Sequence, residues 1–303
     1  MPKVSRGRPP SRAVPSGVLR RVSSVIGLVA GLVIGGAVPA ASQGSDQEDA
    51  ARRSVLEYAK WAEQVLASPP ADIEFLPTLE DRLVERVGQE RSEHDLGALD
   101  RDPGLQRAAR AHAVDMLQRD YTGHIGPAGR SATERVGILD RRFIGATGEN
   151  LAENVGIPMA AVAEQVGPMA LKLVSGFLES PEHRKNLLGP DYTHHGIGAA
   201  AEGDRLIVVH VFGARRAALK QDLPLQVAQG AELPLAFEEG EGLSTPAKYA
   251  FARPGQPSGE LVPLDIALNE AAVEPGAYQL QFFLPTEQSN RFAVVPGPIL
   301  VVQ

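Results

Sequence analysis

The segment Ser180-Pro181-Glu182-His183-Arg184-Lys185-Asn186-Leu187-Leu188 carries the clearest structural signal in this chain. Serine is a good N-cap, proline suits the first helical position, and an acid such as Glu182 is favoured at the positive end of a helix. Gly189-Pro190 ends the predicted helix. His183 therefore lies in the first turn, where the helix dipole disfavours imidazolium and keeps the ring available as a ligand or base.

The sequence on both sides of this segment predicts a mixture of helices and strands. Apolar residues recur at three- and four-residue steps in four helical segments, and two strand-like runs follow the short helix. The predicted helices are 47–67, 79–90, 104–119 and 159–179, and the predicted strands are 196–201 and 206–212. Gly167-Pro168 is expected to interrupt the fourth helix, and residues 123–137 are expected to form a loop.

The pattern changes near residue 220, where helical periodicity stops. Short alternating runs, separated by Gly, Pro, Ser or Asn, begin at Leu223 and end at Val302. The runs are 223–227, 233–237, 249–252, 264–268, 278–284 and 299–302. They predict a small Ig-like β-sandwich. We therefore expect a helical extension at 43–77, a first domain at 78–219 and an all-β domain at 220–303, with independent cores.

The first 42 residues have the three-part layout of a secretory signal peptide. Six bases and no acid precede an apolar, glycine-rich run from Val25 to Val38, and the small residues Ala40, Ala41 and Ser42 follow. The apolar run is shorter than the roughly 20 residues that a bilayer span needs. We predict cleavage, with no stable transmembrane span afterwards; an uncleaved anchor is the alternative. The chain is accordingly expected to be secreted or periplasmic.

Composition excludes several classes of function. The chain has no cysteine, so disulfides, thiolate metal sites and cysteine nucleophiles are absent. Without the six leader bases, 24 basic residues face 37 acidic ones, a net charge of −13. An acidic surface repels phosphate backbones, so no nucleic-acid partner is expected.

Further short motifs occur in a fixed order between residues 96 and 213. They are Leu96-Gly97-Ala98-Leu99, His124, Gly148-Glu149-Asn150-Leu151-Ala152, the Ser180 segment, Gly196-Ile197-Gly198 and Val209-His210-Val211-Phe212-Gly213. In this order they resemble the bacterial, SCP-like branch of the CAP superfamily, named for cysteine-rich secretory proteins, antigen 5 and pathogenesis-related 1 proteins. The resemblance implies an α-β-α sandwich, and with the β domain an α+β fold class.

The resemblance also implies a cleft with two histidines and, in most members, two glutamates. His124 and His183 match the histidines, and Glu149 matches the first glutamate. Ser180 stands where the second glutamate is expected, which puts chemistry that needs all four groups in doubt. Asn150 is expected to brace the loop that holds Glu149, and His195 to border the cleft. His112, on the apolar face of its helix, is expected to be a core residue.

Two imidazoles and a carboxylate suit more than one role. His124, Glu149 and His183 are able to bind a divalent metal such as zinc and leave a coordination position open, or to act as a general acid and base. They equally suit a buried hydrogen-bonded brace. Spacing does not separate these alternatives, so the sequence leaves enzymatic activity open.

Three functions are compatible with this interpretation. The first is an extracellular or cell-envelope binding module whose cleft engages a ligand or surface component, while the β domain docks it to a partner. The second is a metal-assisted hydrolase acting on envelope polymer or protein. The third is a binder of small apolar ligands such as lipids or sterols. The missing second glutamate favours the first.

Overall fold

The computed structural model describes residues 43–156, 162, 164–253, 259, 261–264, 273–288 and 291–303. The predicted leader lies outside these residues. Helices span α1 Gln43–Ala67, α2 Pro77–Ser92, α3 Pro103–Gln118, α4 Ala132–Leu139, α5 Val166–Glu179 and α6 Pro181–Leu187. None of the helices in the described ranges has both the length and the apolar character to cross a membrane.

The strands form two five-stranded sheets, one on each side of residue 220. The first contains β1 Ile73–Phe75, β2 Asp100–Arg101, β3 Phe143–Val155, β4 His194–Glu202 and β5 Arg205–Ala218. The second contains β6 Gln226–Val227, β7 Lys248–Ala252, β8 Leu261–Pro263, β9 Gly276–Pro285 and β10 Phe292–Val302.

The first sheet lies between two helical layers. Its order is β1-β4-β5-β3, with β2 parallel to β4 and the other pairs antiparallel. Side chains alternate along β5, so Val209 and Val211 join the cluster of α1, α3 and α4, whereas Val208 and Phe212 join that of α2, α5 and α6. This arrangement agrees with the α-β-α layering that the resemblance implies.

The glycines of the Gly196-Ile197-Gly198 motif allow α3 to approach the sheet closely. A Cβ atom on Gly196 would overlap the backbone of Leu105 and Gln106, and one on Gly198 would overlap that of Ala109 and Arg110. Residues without a Cβ are needed where backbone meets backbone. The helix and the central strand β4 are thereby set in a fixed register.

The second sheet has the order β6-β10-β9-β7-β8, and β6 pairs with β10 in parallel. The expected strands at 249–252, 278–284 and 299–302 lie within β7, β9 and β10. The expected strand at 233–237 is reduced to a bridge between Leu219 and Phe237, and residues 265–268 lie outside the described ranges. Within the described part of 220–303 the strands form one sheet, so the second sheet of an Ig-like sandwich is not among them.

Hydrophobic packing continues across residue 220. Ile144 and Ala217 of the first region lie in the cluster of the second sheet, and Ile299 and Val301 lie in the cluster of α3. Arg141 strengthens the junction by donating to the backbone carbonyls of Leu223 at 2.9 Å and Ile299 at 2.7 Å. The packing therefore differs from the two independent cores expected from the sequence.

Two elements differ from the sequence expectation: a helix begins inside a predicted loop, and one strand was not predicted. The predicted loop 123–137 contains the start of α4, where Ser131 and Glu134 form a reciprocal capping box. The strand β3 was not predicted, because the buried polar residues Glu149, Asn150 and Asn154 conceal its alternation. The Gly148-Glu149-Asn150 motif thus lies on a strand rather than in a loop.

The expected interruption of the fourth helix is present. Val162 and Glu164 are helical, Gln165 lies in a turn, and α5 begins at Val166 with Gly167-Pro168 in its first turn. Residues 159–161 of the predicted helix lie outside the described ranges. Ser180 occupies the N-cap position of α6, but its side chain makes no capping hydrogen bond, so Pro181 and Glu182 carry the start signal.

Candidate functional site

The Glu149 side chain projects from β3 toward α3 and meets three basic side chains from other elements. The Nδ1 atom of His124, in the loop after α3, lies 2.9 Å from Glu149 Oε1. Arg135 on α4 donates from Nη2 to Glu149 Oε2 at 2.8 Å. His112 on α3 has its Nε2 atom 3.9 Å from Oε1. We call these four residues the Glu149 cluster.

The members of the Glu149 cluster are almost fully removed from solvent. His124 is 7% exposed, and the other three are 1–2% exposed. Arg135 additionally donates to the backbone carbonyls of Arg130 at 2.7 Å and His124 at 3.0 Å. A buried charge needs a partner of opposite charge, so the guanidinium and the carboxylate each stabilise the other.

The electrostatics fix the charge states of two members. Burial would raise the pKa of Glu149, but the positive charge of Arg135 and the neighbouring imidazoles outweigh it and lower the pKa to about 2. Burial and the Arg135 charge together lower the pKa of His112 to about 3. At neutral pH the cluster therefore holds a carboxylate, a guanidinium and a neutral His112, whose Nε2 lies 3.0 Å from the Gly123 carbonyl.

The cluster continues toward the surface through Tyr121 and Asp115. The Tyr121 hydroxyl donates to an Asp115 carboxylate oxygen and lies 3.4 Å from His112 Nδ1. Burial, followed by this hydrogen bond, raises the pKa of Tyr121. Tyr121 thus remains a neutral phenol at the edge of the Glu149 cluster.

Asn150, the next residue on β3, faces the opposite side of the sheet and binds α6. Its Nδ2 donates to the backbone carbonyl of His183 at 3.0 Å, and its Oδ1 accepts from Asn186 Nδ2 at 2.9 Å. Asn186 also donates to the Glu149 carbonyl at 3.2 Å. The two asparagines therefore connect the Glu149 and His183 motifs, which agrees with the bracing role expected for Asn150.

His183 is fully buried, and its ring packs edge-on against Phe177 of α5 with 5.3 Å between ring centroids. The structure brings His124 and Glu149 into direct contact and joins His183 to this pair through Asn150 and Asn186. Convergence of the two histidines in one pocket stays a prediction.

His195 lies beside another histidine rather than in the Glu149 cluster. Its Nδ1 is 3.0 Å from Nε2 of His210, and both rings are buried. The ring of His210 stacks on Phe212, 3.8 Å between centroids, on the side of α2 and α5. Burial lowers the pKa of His195 to about 4 and holds that of His210 well below its ordinary value, so both are neutral at pH 7.

The three candidate metal ligands are not grouped around one point in the described structure. Among the described residues, which include His124, Glu149 and His183, no three His, Asp or Glu side chains are arranged to hold an ion. Both oxygens of Glu149 are already engaged, one by His124 and one by Arg135.

Residues 84–212 match the family model described as "CAP: Cysteine-rich secretory protein family". Residues 84–212 form a CAP domain. This confirms the resemblance drawn from the ordered motifs. Around this CAP domain lie α1, the first half of α2 and the second sheet, which the family match does not include.

Two proteins of Bacillus subtilis (strain 168) are similar to the chain. The uncharacterized protein YkwD is 32% identical over 124 residues, which are 41% of this chain and 43% of YkwD. The uncharacterized membrane protein YlbC is 32% identical over 123 residues, 40% of this chain and 31% of YlbC. The chain thus spans less than half the length of these relatives.

Two solved structures are also similar. An outer surface protein from Borrelia burgdorferi aligns over 47% of this chain and 98% of that one, with 20% identity and a TM-score of 0.40. An extracellular protein containing a SCP domain from Bacillus anthracis str. Ames aligns over 45% and 40%, with 24% identity and a TM-score of 0.35.

Two members of the Glu149 cluster, His112 and Arg135, are not among the site residues expected from the sequence. The core position expected for His112 agrees with its burial, but its place beside Glu149 was not expected. Arg135 received no role, although a carboxylate predicted to be buried requires a cation nearby. The apolar run that follows the capping box at Ser131 was the available signal, because it places Arg135 on a buried helix.

Proposed function

We propose that the chain is an exported cell-envelope or extracellular binding protein that uses the Glu149 cluster of its CAP domain as the ligand site. The observation that carries this proposal is the buried Glu149 carboxylate, held between Arg135 and His124 beside a neutral His112. A preorganised set of charged and neutral groups suits recognition of a polar ligand. The basic, apolar and small-residue leader supports export.

The electrostatics favour binding over hydrolysis. A general base works best when its pKa is near the operating pH, and the pKa of Glu149 is about 2. A metal-assisted hydrolase stays the alternative prediction, and calorimetric metal titration tests it. In that alternative, replacing either His124 or His183 by alanine weakens metal binding about tenfold or more.

The apolar-ligand alternative has weaker chemical support in the described residues. The surface groove between α2 and α5, about 450 Å³, is lined by charged side chains that include Arg82, Glu85 and Arg86, with the apolar Val166 and Leu171 beside them. A lipid tail or sterol bound there would remove these charged groups from water, which costs free energy. Lipid co-purifying with the protein would support this alternative instead.

The second region is proposed to dock the CAP domain to a partner, and an Ig-like fold for it stays part of this proposal. Its sheet presents Leu261, Phe292 and Val294 as exposed apolar side chains. Phe292 and Val294 lie two residues apart on β10 and therefore share one face, and neighbouring exposed apolar groups are a feature of interaction surfaces.

Binding of the purified protein to isolated cell-wall sacculi tests the proposed function. We expect the wild type to co-sediment with sacculi and His124→Ala to lose about tenfold in affinity. His94→Ala is the matched control, because His94 is an exposed histidine away from the cluster. Equal sedimentation of all three proteins, or none by the wild type, would contradict an envelope-binding role for this site.

A further inference from the structure

Helix α1 lies outside the family match, yet it forms part of the core beside the Glu149 cluster. Residues 84–212 match the CAP family, whereas α1 ends at Ala67. Its buried residues join the cluster of α3 and α4; they are Val55, Tyr58, Ala62 and Val65. The helix is therefore packed on the domain as an added element.

A continuous series of contacts leads from α1 to Glu149. Arg130 Nη2 donates to the Ser54 carbonyl at 2.6 Å and to the Ser54 hydroxyl, and its guanidinium lies over the Tyr58 ring at 4.7 Å. The Arg130 carbonyl in turn accepts from Arg135, the partner of Glu149. Helix α1 thus lies over the loop that holds one wall of the cluster.

Tyr58 is the α1 side chain whose electrostatic surroundings include the cluster. Burial raises the pKa of Tyr58, and Arg135, Asp115, Arg130 and Glu149 all act on its hydroxyl through their charges. This hydroxyl is buried and has no hydrogen-bond partner among the described residues. An unpaired buried hydroxyl weakens the docking of the helix that carries it.

We propose that α1 is a releasable cover on the Glu149 cluster and that Tyr58 is the side chain that closes the site. This inference rests on the proposed function, because it makes release of α1 the step that admits the ligand. Release of α1 uncovers the carboxylate, guanidinium and imidazole groups of the Glu149 cluster, so the site takes a polar ligand. The apolar side chains of α1 hold the cover in place until then.

The test compares opening of α1 with exposure of His124 in the full-length mature chain. Amide hydrogen exchange reports α1 and α3 separately, carbethoxylation of His124 followed by mass spectrometry reports access to the site, and Trp61, the single tryptophan of the chain, reports α1 by fluorescence. In Tyr58→Ala we expect α1 exchange and His124 modification to speed up together by about tenfold, with α3 unchanged.

Two control variants separate the cover from general loosening. Tyr58→Phe removes only the unpaired hydroxyl, and Lys60→Ala alters an exposed position of the same helix. In both variants, carbethoxylation of His124 should be no faster than in the wild type. An unchanged His124 rate in Tyr58→Ala despite faster α1 exchange would overturn the proposal. Exchange of α1 and α3 at one common rate in the wild type would overturn it as well.

The two proposals fail in distinguishable ways. If His124 exposure follows α1 but sacculi do not bind, the cover stands and the proposed ligand site fails. If sacculi bind while the α1 amides stay fully protected, the binding function stands and the cover is overturned.

Discussion

At the scale of single residues, the Arg135–Glu149 pair gives the clearest energetic expectation. Arg135→Met leaves a buried carboxylate without its main partner, and we expect a loss of about 3–5 kcal/mol in the free energy of unfolding. Arg82→Met is the matched control, because Arg82 pairs with Glu85 at the surface, where both side chains are 56% exposed, and should cost less than about 1 kcal/mol. Urea unfolding measures both.

A double-mutant cycle shows whether the pair acts as a unit. Arg135→Met with Glu149→Leu removes both buried charges, so the double variant should lose clearly less than the sum of the single losses. Additive losses would contradict the coupling that the 2.8 Å bond indicates.

The buried histidines predict that stability falls in mild acid. Burial lowers the pKa of His112 to about 3 and of His195 to about 4, whereas unfolded histidine titrates near 6.5. The unfolded chain therefore binds more protons below that pH, so the stabilisation is complete above about pH 6.5 and is lost as the pH falls toward 4. Urea midpoints at pH 7.5 and pH 5 measure the fall.

The titration of Asp140 changes stability with pH in the direction opposite to the buried histidines, and this provides a check on the pH prediction. Burial and Asp102 raise the pKa of Asp140 to about 6, so between about pH 4 and 6 the folded state holds a proton that the unfolded state has lost. Asp140→Asn should remove this opposing contribution and steepen the loss of stability on going to pH 5. A shallower pH dependence in the variant would show that the assignment is wrong.

At the scale of elements, the contact between α3 and β4 depends on glycine. Gly198→Ala places a methyl group against the backbone of Arg110, and we expect a loss of about 1–3 kcal/mol or more from the forced separation. Gly88→Ala is the matched control: Gly88 lies within α2 with open space around its Cα, so alanine there should raise stability by about 0.5–1 kcal/mol. Thermal melts of both variants distinguish the two environments.

The elements also show what sequence reasoning recovers. Helices α1, α2 and α3 and strands β4 and β5 follow apolar periodicity closely, because each has one face in a core. Strand β3 does not show this apolar periodicity, because Glu149 and Asn150 are buried polar residues whose partners come from other elements. The pairing of His124 with Glu149 came from the resemblance, whereas Arg135 required knowledge of which helix lies over the carboxylate.

At the scale of the whole molecule, the shared packing predicts that the CAP region is less stable as an isolated fragment than in the full chain. A fragment of residues 43–220 keeps α1 but loses the partners of Ile144 and Ala217 and the carbonyls that Arg141 binds across the junction. We expect it to melt below the full chain, by about 2–4 °C for each kcal/mol lost. Equal melting temperatures would restore the expectation of independent cores.

The leader makes a prediction about the mature protein. Cleavage after the small residues near Ala40 should give exported protein that begins between Ala41 and Gln43, just before α1. Intact-mass analysis of the exported fraction identifies the first residue. Protein that still begins near Met1 and remains in the membrane fraction would support the anchor instead.

Helix α1 touches more than the CAP domain, since it also packs on β9 and β10 of the second sheet. Whether α1 is packed or released therefore affects the stability of both regions. Suppose that a partner docked on the second sheet stabilises α1 in its packed position. The partner then lowers the affinity of the Glu149 cluster for its ligand, and the ligand lowers the affinity of the second sheet for the partner by the same factor. The chain would then act as an exclusive switch, able to hold either the envelope ligand or the docked partner strongly, but not both at once.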